Sequence, residues 1–149
     1  MRLGCPDASD EQIYAALAIA QASEIVKEKG GLSASISQGA KNLSGGQRQR
    51  LCIARALVSE PPIIVFDDSS SALDFATEAA LRRDLAGLPD QTTKVIVSQR
   101  AGTLTDADRI LVMDDGHVVG IGTAEELMQS CEVFREIYES QFGEKEDRA

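Results

Sequence analysis

Apolar residues recur along the chain at two spacings, which separate predicted helices from predicted strands. The capping box Ser9–Gln12 precedes Ile13 and Leu17, which lie four positions apart, so a first amphipathic helix is predicted there. A second helical stretch is predicted over 23–29, and 32–41 has the composition of an irregular segment. The first part of the chain is therefore predicted to be a helical lobe.

A third helix is predicted to begin at Ser44. Leu51, Ala54 and Leu57 then share one face at helical spacing. The pair Pro61-Pro62 ends this helix, because a residue that precedes proline disfavours helical geometry. The polar segment that contains Gly45 and Gly46 is placed at the start of this helix.

The middle of the chain alternates strand, helix and strand. Residues 63–66 are apolar without alternation, which predicts a strand buried on both faces, as in parallel sheets. Asp74 is placed to cap a helix over 75–86, and the next strand is predicted over 93–97. This order predicts an α/β fold with a mostly parallel sheet.

The last third predicts an antiparallel hairpin followed by helices. Residues 109–113 and 117–121 are predicted strands, and Asp115-Gly116 between them is a strong hairpin turn. A capping box at Thr123 opens one helix, and a last amphipathic helix contains Phe134. The predicted sheet thus ends in a terminal antiparallel hairpin.

Composition excludes several functional classes. The 149 residues carry a net charge of −9, which argues against a nucleic-acid partner because such proteins need a basic face. No apolar run approaches the roughly 20 residues that cross a bilayer. Cys5, Cys52 and Cys131 show no zinc-type spacing and are expected to be reduced thiols.

The segment Ser44–Gln47 is a candidate anion site. Gly45 and Gly46 permit close approach of a ligand to the backbone at the positive end of a helix. Ser44 adds a hydroxyl and Gln47 adds an amide. The alternative is an ordinary helix cap with no ligand.

Carboxylates follow the predicted strand 63–66. Asp67 and Asp68 stand at its carboxyl end, the edge where ligands bind in open α/β sheets and where an acid can hold a metal ion. Asp74 follows in the segment Ser71–Asp74, where a helix cap is the alternative role. Together, the glycine-bearing helix and these acids indicate a site for nucleotide phosphates.

The order Leu-Ser-Gly-Gly-Gln, Ile63–Asp68, Ser71–Asp74 resembles the ATP-binding cassette (ABC) family, with its signature motif, Walker B strand and D-loop. The resemblance implies that Ser44–Gln47 closes over the γ-phosphate of ATP held by a second nucleotide-binding domain. It also implies that Asp67 organises Mg²⁺ through water. Asp74 would belong to the D-loop, which relays signals between the two sites of the dimer.

Two positions depart from the family pattern. Asp68 stands where active ABC ATPases carry glutamate, and the shorter side chain withdraws the carboxylate by about 1 Å, enough to cost on the order of 100-fold in rate. Gln99 stands at the end of the switch segment, where histidine is usual, and cannot accept a proton near neutral pH. His117, the sole histidine, is predicted to be a surface residue of the hairpin.

A phosphate-binding P-loop of the form Gly-x-x-x-x-Gly-Lys-Ser/Thr is absent from the sequence. The resemblance covers nearly all of residues 1–145, and implies a partial P-loop NTPase fold corresponding to about the last three-fifths of a nucleotide-binding domain. Its expected divisions are a helical subdomain with the signature motif over 1–60, the C-terminal part of the ATPase core over 61–143, and a charged tail over 144–149.

The functional expectation is the ATP-binding component of a multidrug- or lipid-type ABC exporter on the cytoplasmic face of a membrane. Its expected partners are transmembrane domains and a second nucleotide-binding domain, in a homodimer or a heterodimer. The expected form is a heterodimer in which this chain is the degenerate-site half and donates its signature motif to the partner. Its expected ligands are ATP and Mg²⁺, and the chain alone is expected to be inactive. The alternative is a truncated, non-catalytic interaction fragment unable to bind ATP alone; a DNA-repair ATPase of the same family fits less well, since basic surfaces and coiled-coil insertions are absent.

Overall fold

A computed structural model describes residues 1–142, and these form helices and short strands joined by two single 3₁₀ turns. No helix in this range combines the length and apolar character needed to cross a membrane. The elements are α1 (Asp10–Ile19), α2 (Ser23–Glu28), α3 (Gly45–Leu57), β1 (Ile63–Asp67), α4 (Phe75–Ala86), β2 (Thr93–Val97), β3 (Ile110–Asp114), β4 (His117–Gly122), α5 (Ala124–Ser130) and α6 (Glu132–Phe142).

The backbone forms two compact units, Met1–Val97 and a second from Ser98 onward. The boundary expected at residue 60 separates segments by their expected function, whereas these two units are defined by contacts within the backbone. The boundary at residue 60 therefore stays a prediction. The charged tail expected over 144–149 lies outside the described residues.

Helices of the first unit pack as the apolar pattern predicts. The Ser9 hydroxyl oxygen accepts from the Gln12 N–H at 3.2 Å, and Gln12 Oε1 accepts from the Ser9 N–H at 3.0 Å, so the predicted capping box opens α1. Ile13 and Leu17 are fully buried where α1 packs against α3 and α4. The predicted second helix is present as α2.

The first unit contains a parallel pair of strands. The register of β1 and β2 runs from Ile63 opposite Thr93 to Asp67 opposite Val97. Because the two strands end at the same level, the carboxyl edge of this pair carries Asp67 and the start of the loop that follows. The mostly parallel α/β architecture predicted for the middle of the chain is confirmed.

One prediction about β1 is wrong. Ile64 and Phe66 are buried, but Ile63 is 62% exposed and Val65 is 60% exposed. The strand is apolar on both faces, yet within residues 1–142 only one face is covered. A continuous apolar run shows that both faces of a strand are suited to burial. In residues 1–142 the face that carries Ile63 and Val65 stays exposed.

The second unit is a hairpin backed by two helices. Asp115 and Gly116 both have positive φ, 45° and 76°, which gives the tight turn predicted between β3 and β4. Thr123 and Glu126 form the predicted capping box of α5. The core of this unit consists of Ile110, Val112, Leu127, Cys131 and Phe134.

The exposed side of the parallel pair should promote self-association. Val65→Lys places a charge on this face without removing a ladder hydrogen bond, so we expect less self-association in sedimentation velocity over a concentration series. Ile64→Ala, on the covered face, should instead cost about 2–5 kcal/mol of unfolding free energy and increase association. Undiminished association of the Val65→Lys chain would contradict this account.

Candidate functional site

The tip of α3, Ser44–Gln47, is called here the signature tip. Ser44 is the N-cap: its hydroxyl oxygen accepts from the Gln47 N–H at 3.2 Å, while Gln47 Oε1 accepts from the Ser44 N–H at 3.0 Å. The two side chains contribute only acceptor atoms to this cap, so the cap does not exclude the anion site expected from the sequence. The Ser44 hydroxyl proton and the Gln47 amide N–H groups are donors, which is the chemistry that a phosphate requires.

The two glycines of the tip have different surroundings. A Cβ built on Gly46 would lie 2.9 Å from the Ala72 carbonyl oxygen and 3.4 Å from a Leu73 methyl carbon. A Cβ on Gly45 would meet only the Ala72 Cβ, at the ordinary distance of 3.6 Å. Gly46 is thus required for contact with the Ser71–Asp74 segment, the D-loop, whereas exposed Gly45 is accessible from solvent.

A cleft of about 370 Å³ opens between the signature tip and the D-loop. Its polar side chains are those of Ser44, Arg50, Asp74 and Thr77, and Ala72 and Leu73 add apolar surface. Its lining consists of Ser44, Gly45, Gly46, Arg50, Ala72, Leu73, Asp74 and Thr77. The structure therefore brings together four of the candidate residues, namely Ser44, both glycines and Asp74.

Asp67 and Asp68 lie at the carboxyl end of β1, exposed, as the sequence predicts. No group of three metal-ligating side chains occurs among residues 1–142. Mg²⁺ nevertheless keeps several waters and is commonly held by one or two carboxylates together with substrate phosphates. Asp67 fits that limited role, since its position at the sheet edge leaves it accessible.

The backbone of Asp68 is in the left-handed region, with φ of 46°. Its N–H donates to the Val97 carbonyl at 3.0 Å, which extends the β1–β2 ladder by one bond. Its carbonyl accepts from the Ser71 hydroxyl at 3.0 Å. Non-glycine residues in this region often mark functional sites, and here the neighbouring bonds hold Asp68 in place.

Asp74 caps α4. Its carboxylate accepts from the Thr77 N–H at 3.0 Å and from the Thr77 hydroxyl at 2.8 Å. These bonds, the backbone bond first, lower the pKa of the Asp74 carboxyl below its usual range. Asp74 is therefore an anion across the physiological pH range and serves as the predicted helix cap.

Gln99 belongs to the second unit and is exposed. It follows β2, which ends at Val97, and its carbonyl accepts from the Gln141 amide at 2.7 Å. His117 is exposed at the start of β4, as predicted for a hairpin residue.

Sequence reasoning missed Gln49. Its Nε2 donates to the Ser71 hydroxyl oxygen at 3.0 Å, and its Oε1 accepts from the Ala72 N–H at 3.0 Å. Gln49 lies one helical turn after Gly45, so the i, i+4 spacing places it on the face of α3 that carries the tip. That spacing was the available signal.

The family profile described as ABC transporter matches residues 7–71, which contain the signature tip and the end of β1. An uncharacterized ABC transporter ATP-binding protein of Mycobacterium bovis is 41% identical over 93% of this chain and 24% of its own length. An ATP-dependent lipid A-core flippase of a Shewanella species is 37% identical over 92% of this chain and 23% of its own.

A solved structure of a bacterial Atm1-family ABC exporter with ATP bound superposes with a TM-score of 0.89 and 30% identity, covering 95% of this chain and 25% of that one. The chain belongs to the ABC transporter family and corresponds to part of a nucleotide-binding domain. It spans about a quarter of the length of the relatives it matches.

Gly46→Ala should disturb the contact with the D-loop, because its Cβ would press against backbone that cannot rotate away. We expect a loss of about 1–3 kcal/mol in unfolding free energy, measured by urea titration. Gly45→Ala is the matched control, where the Cβ has room and alanine favours the helix. Equal stability of the two variants would refute the assigned contact.

Asp74 should make stability depend on acid. Because its pKa is lowered by folding, its contribution is fully present above the ordinary aspartate pKa and is lost as the pH falls through the folded value. Asp74→Asn can still cap but does not titrate, so unfolding free energy should fall less between about pH 6 and pH 3. Asp90→Asn, at an exposed turn, controls for the loss of one negative charge. If the unfolding free energy of Asp74→Asn depends on pH in the same way as that of the parent, the prediction is wrong.

Proposed function

We propose that this chain is the ATP-binding component of an ABC exporter and donates its signature tip to ATP held by a second nucleotide-binding domain. The observation that carries the proposal is the exposed Ser44–Gly45 tip, with its donors beside an open cleft, in a sequence that contains no P-loop. A phosphate on this tip would meet helix N–H groups and the Ser44 hydroxyl.

The bound nucleotide supplies the phosphoanhydride bond, and Mg²⁺ offsets the charge of its phosphates. The residues of this chain bind the nucleotide phosphates and orient them. The tip donates hydrogen bonds, and Asp67 holds water at the carboxyl edge of the parallel strands. These roles require a partner with its own P-loop, so the chain alone should turn over no ATP.

The two positions that depart from the family pattern, Asp68 and Gln99, support an asymmetric dimer. Asp68 would place its carboxylate short of the attacking water, and Gln99 cannot take a proton. The signature tip, in contrast, keeps every residue of its motif. We infer a heterodimer in which this subunit contributes a weak Walker B end and switch segment to its own side and completes a competent site on the side of its partner.

The exporter assignment rests on the relatives, two of which are named for lipid A-core flipping and for export of a β-(1→2)glucan. By this likeness the chain would lie at the cytoplasmic face of a membrane in contact with transmembrane domains, and those domains would select the cargo.

A non-catalytic interaction fragment is the second candidate. The absence of the P-loop motif from the 149 residues favours it for this chain taken alone. Such a fragment would bind a complete nucleotide-binding domain without contributing to turnover.

The test mixes the chain with a complete nucleotide-binding domain that carries glutamate and histidine in its own site. Gly45→Asp places a negative charge where the phosphate would sit and also suits the first turn of α3, so folding should be preserved. ATP-dependent capture should weaken by about tenfold or more, the size expected for like charges at close range. Gly45→Asn is the matched neutral control and should weaken capture less.

Turnover by the same mixture separates the candidates. Asp68→Ala should change the rate by less than about threefold, whereas loss of the glutamate of the partner should reduce it by about 100-fold or more. Equal losses would refute the asymmetric dimer. Capture without any stimulation of turnover would favour the interaction fragment, and steady turnover by the chain alone, abolished by Asp67→Asn, would refute both.

A further inference from the structure

Gln49 joins the helix that carries the signature tip to the loop that follows β1. Its side-chain amide uses both ends: Oε1 accepts from the Ala72 N–H at 3.0 Å, and Nε2 donates to the Ser71 hydroxyl oxygen at 3.0 Å. Nε2 also lies 3.5 Å from the Asp68 carbonyl oxygen, at the limit of a hydrogen bond. One side chain thus spans from the Walker B end of β1 to the D-loop.

The next residue on α3, Arg50, is linked through Gln21 to α4, the helix that follows the D-loop. Arg50 Nη1 donates to the Gln21 carbonyl at 2.7 Å, and Gln21 Nε2 donates to Asp84 Oδ2 at 2.6 Å. Asp84 belongs to α4, the helix that the D-loop enters through Asp74. Consecutive residues of α3 therefore fix the start of the D-loop directly and the helix that follows it through Gln21.

The contact that Gln49 maintains contains no side chain on the α3 side. Gly46 approaches the Ala72 carbonyl so closely that a Cβ would lie 2.9 Å from the oxygen. A glycine contact has little side-chain surface to bury, so packing alone holds it weakly. The two hydrogen bonds of the Gln49 amide set the orientation of the D-loop backbone and its distance from α3, which the glycine contact alone cannot set.

We propose that Gln49 is a positioning residue that holds the D-loop backbone against the signature tip, so that the two move as one body when a phosphate is bound. The proposal rests on the proposed function for its consequence in turnover. Its structural core, the bond to the Ala72 N–H, is independent of any nucleotide.

The glutamine amide allows the two bonds to be separated by substitution. Gln49→Glu keeps the acceptor for the Ala72 N–H and loses the donor to Ser71. Gln49→Met keeps the length of the side chain and loses both. Gln129→Met, at an exposed position of α5 in the second unit, makes the same chemical change in a different helix and is the matched control.

The first measurement is hydrogen exchange at the Ala72 amide in the full chain, assembled with the complete nucleotide-binding domain and MgATP. Exchange should be slowed in the parent and in Gln129→Met, and should accelerate by about three- to tenfold in Gln49→Met, as expected for one lost hydrogen bond. Gln49→Glu should restore the slow rate. An unprotected Ala72 amide in the parent, or unchanged protection in Gln49→Met, would overturn the proposal.

The second measurement is the turnover of the same assembly. A misplaced D-loop should lower kcat by about tenfold in Gln49→Met, while KM for ATP changes by less than about twofold, because the donors of the tip remain. A rise in KM at constant kcat would overturn the assigned role.

The two measurements also separate this inference from the proposed function. If Gly45→Asp leaves capture and turnover unchanged, the proposed function fails, and the exchange rates at Ala72 still decide whether Gln49 holds the loop. If Gly45→Asp acts as expected and Gln49→Met behaves like Gln129→Met in both assays, only the positioning role is lost.

Discussion

The organisation of the first unit depends on one close approach, that of the Ala72 carbonyl to the first turn of α3. The approach is possible only because Gly46 has no side chain, and it places the carbonyl dipole beside the positive end of a helix. Around this contact the chain arranges a cap at Ser44, a cap at Asp74 and the bridge through Gln49. A cleft results because the backbones meet on one side of the tip and leave the other side accessible.

Local chemistry made much of this predictable from the sequence. The caps at Ser9, Ser44, Asp74 and Thr123 each need one side chain and a backbone donor three residues later, and all four are present. The Asp115-Gly116 turn is similarly local, since both residues tolerate positive φ. Such features depend on the nearest few residues, so a single sequence specifies them.

Features that depend on tertiary partners could not be predicted in the same way. The exposure of Ile63 and Val65 depends on what covers the sheet, which the strand sequence does not reveal. Glu78 is buried on α4, and its carboxylate accepts from the Ser70 hydroxyl at 2.8 Å, an arrangement that apolar periodicity cannot anticipate. The role of Gln49 likewise depends on a loop more than 20 residues further along the chain.

Each unit also exposes apolar strand residues. In the first unit these lie on one side of the parallel pair, and in the second they include Leu111, Met113 and Ile121 of the hairpin. Strand pairs of this size are marginal without further strands or helices. The stability of the chain is therefore expected to depend on its binding partners more strongly than that of a complete domain of similar length.

The left-handed backbone at Asp68 gives the aspartate a conformational advantage. Aspartate enters this region more readily than longer or branched residues, because its short carboxylate can bond locally. Asp68→Glu would extend the carboxylate by one methylene and would increase backbone strain, because glutamate adopts positive φ less readily. A longer side chain at this position would therefore need a second, compensating change elsewhere in the turn.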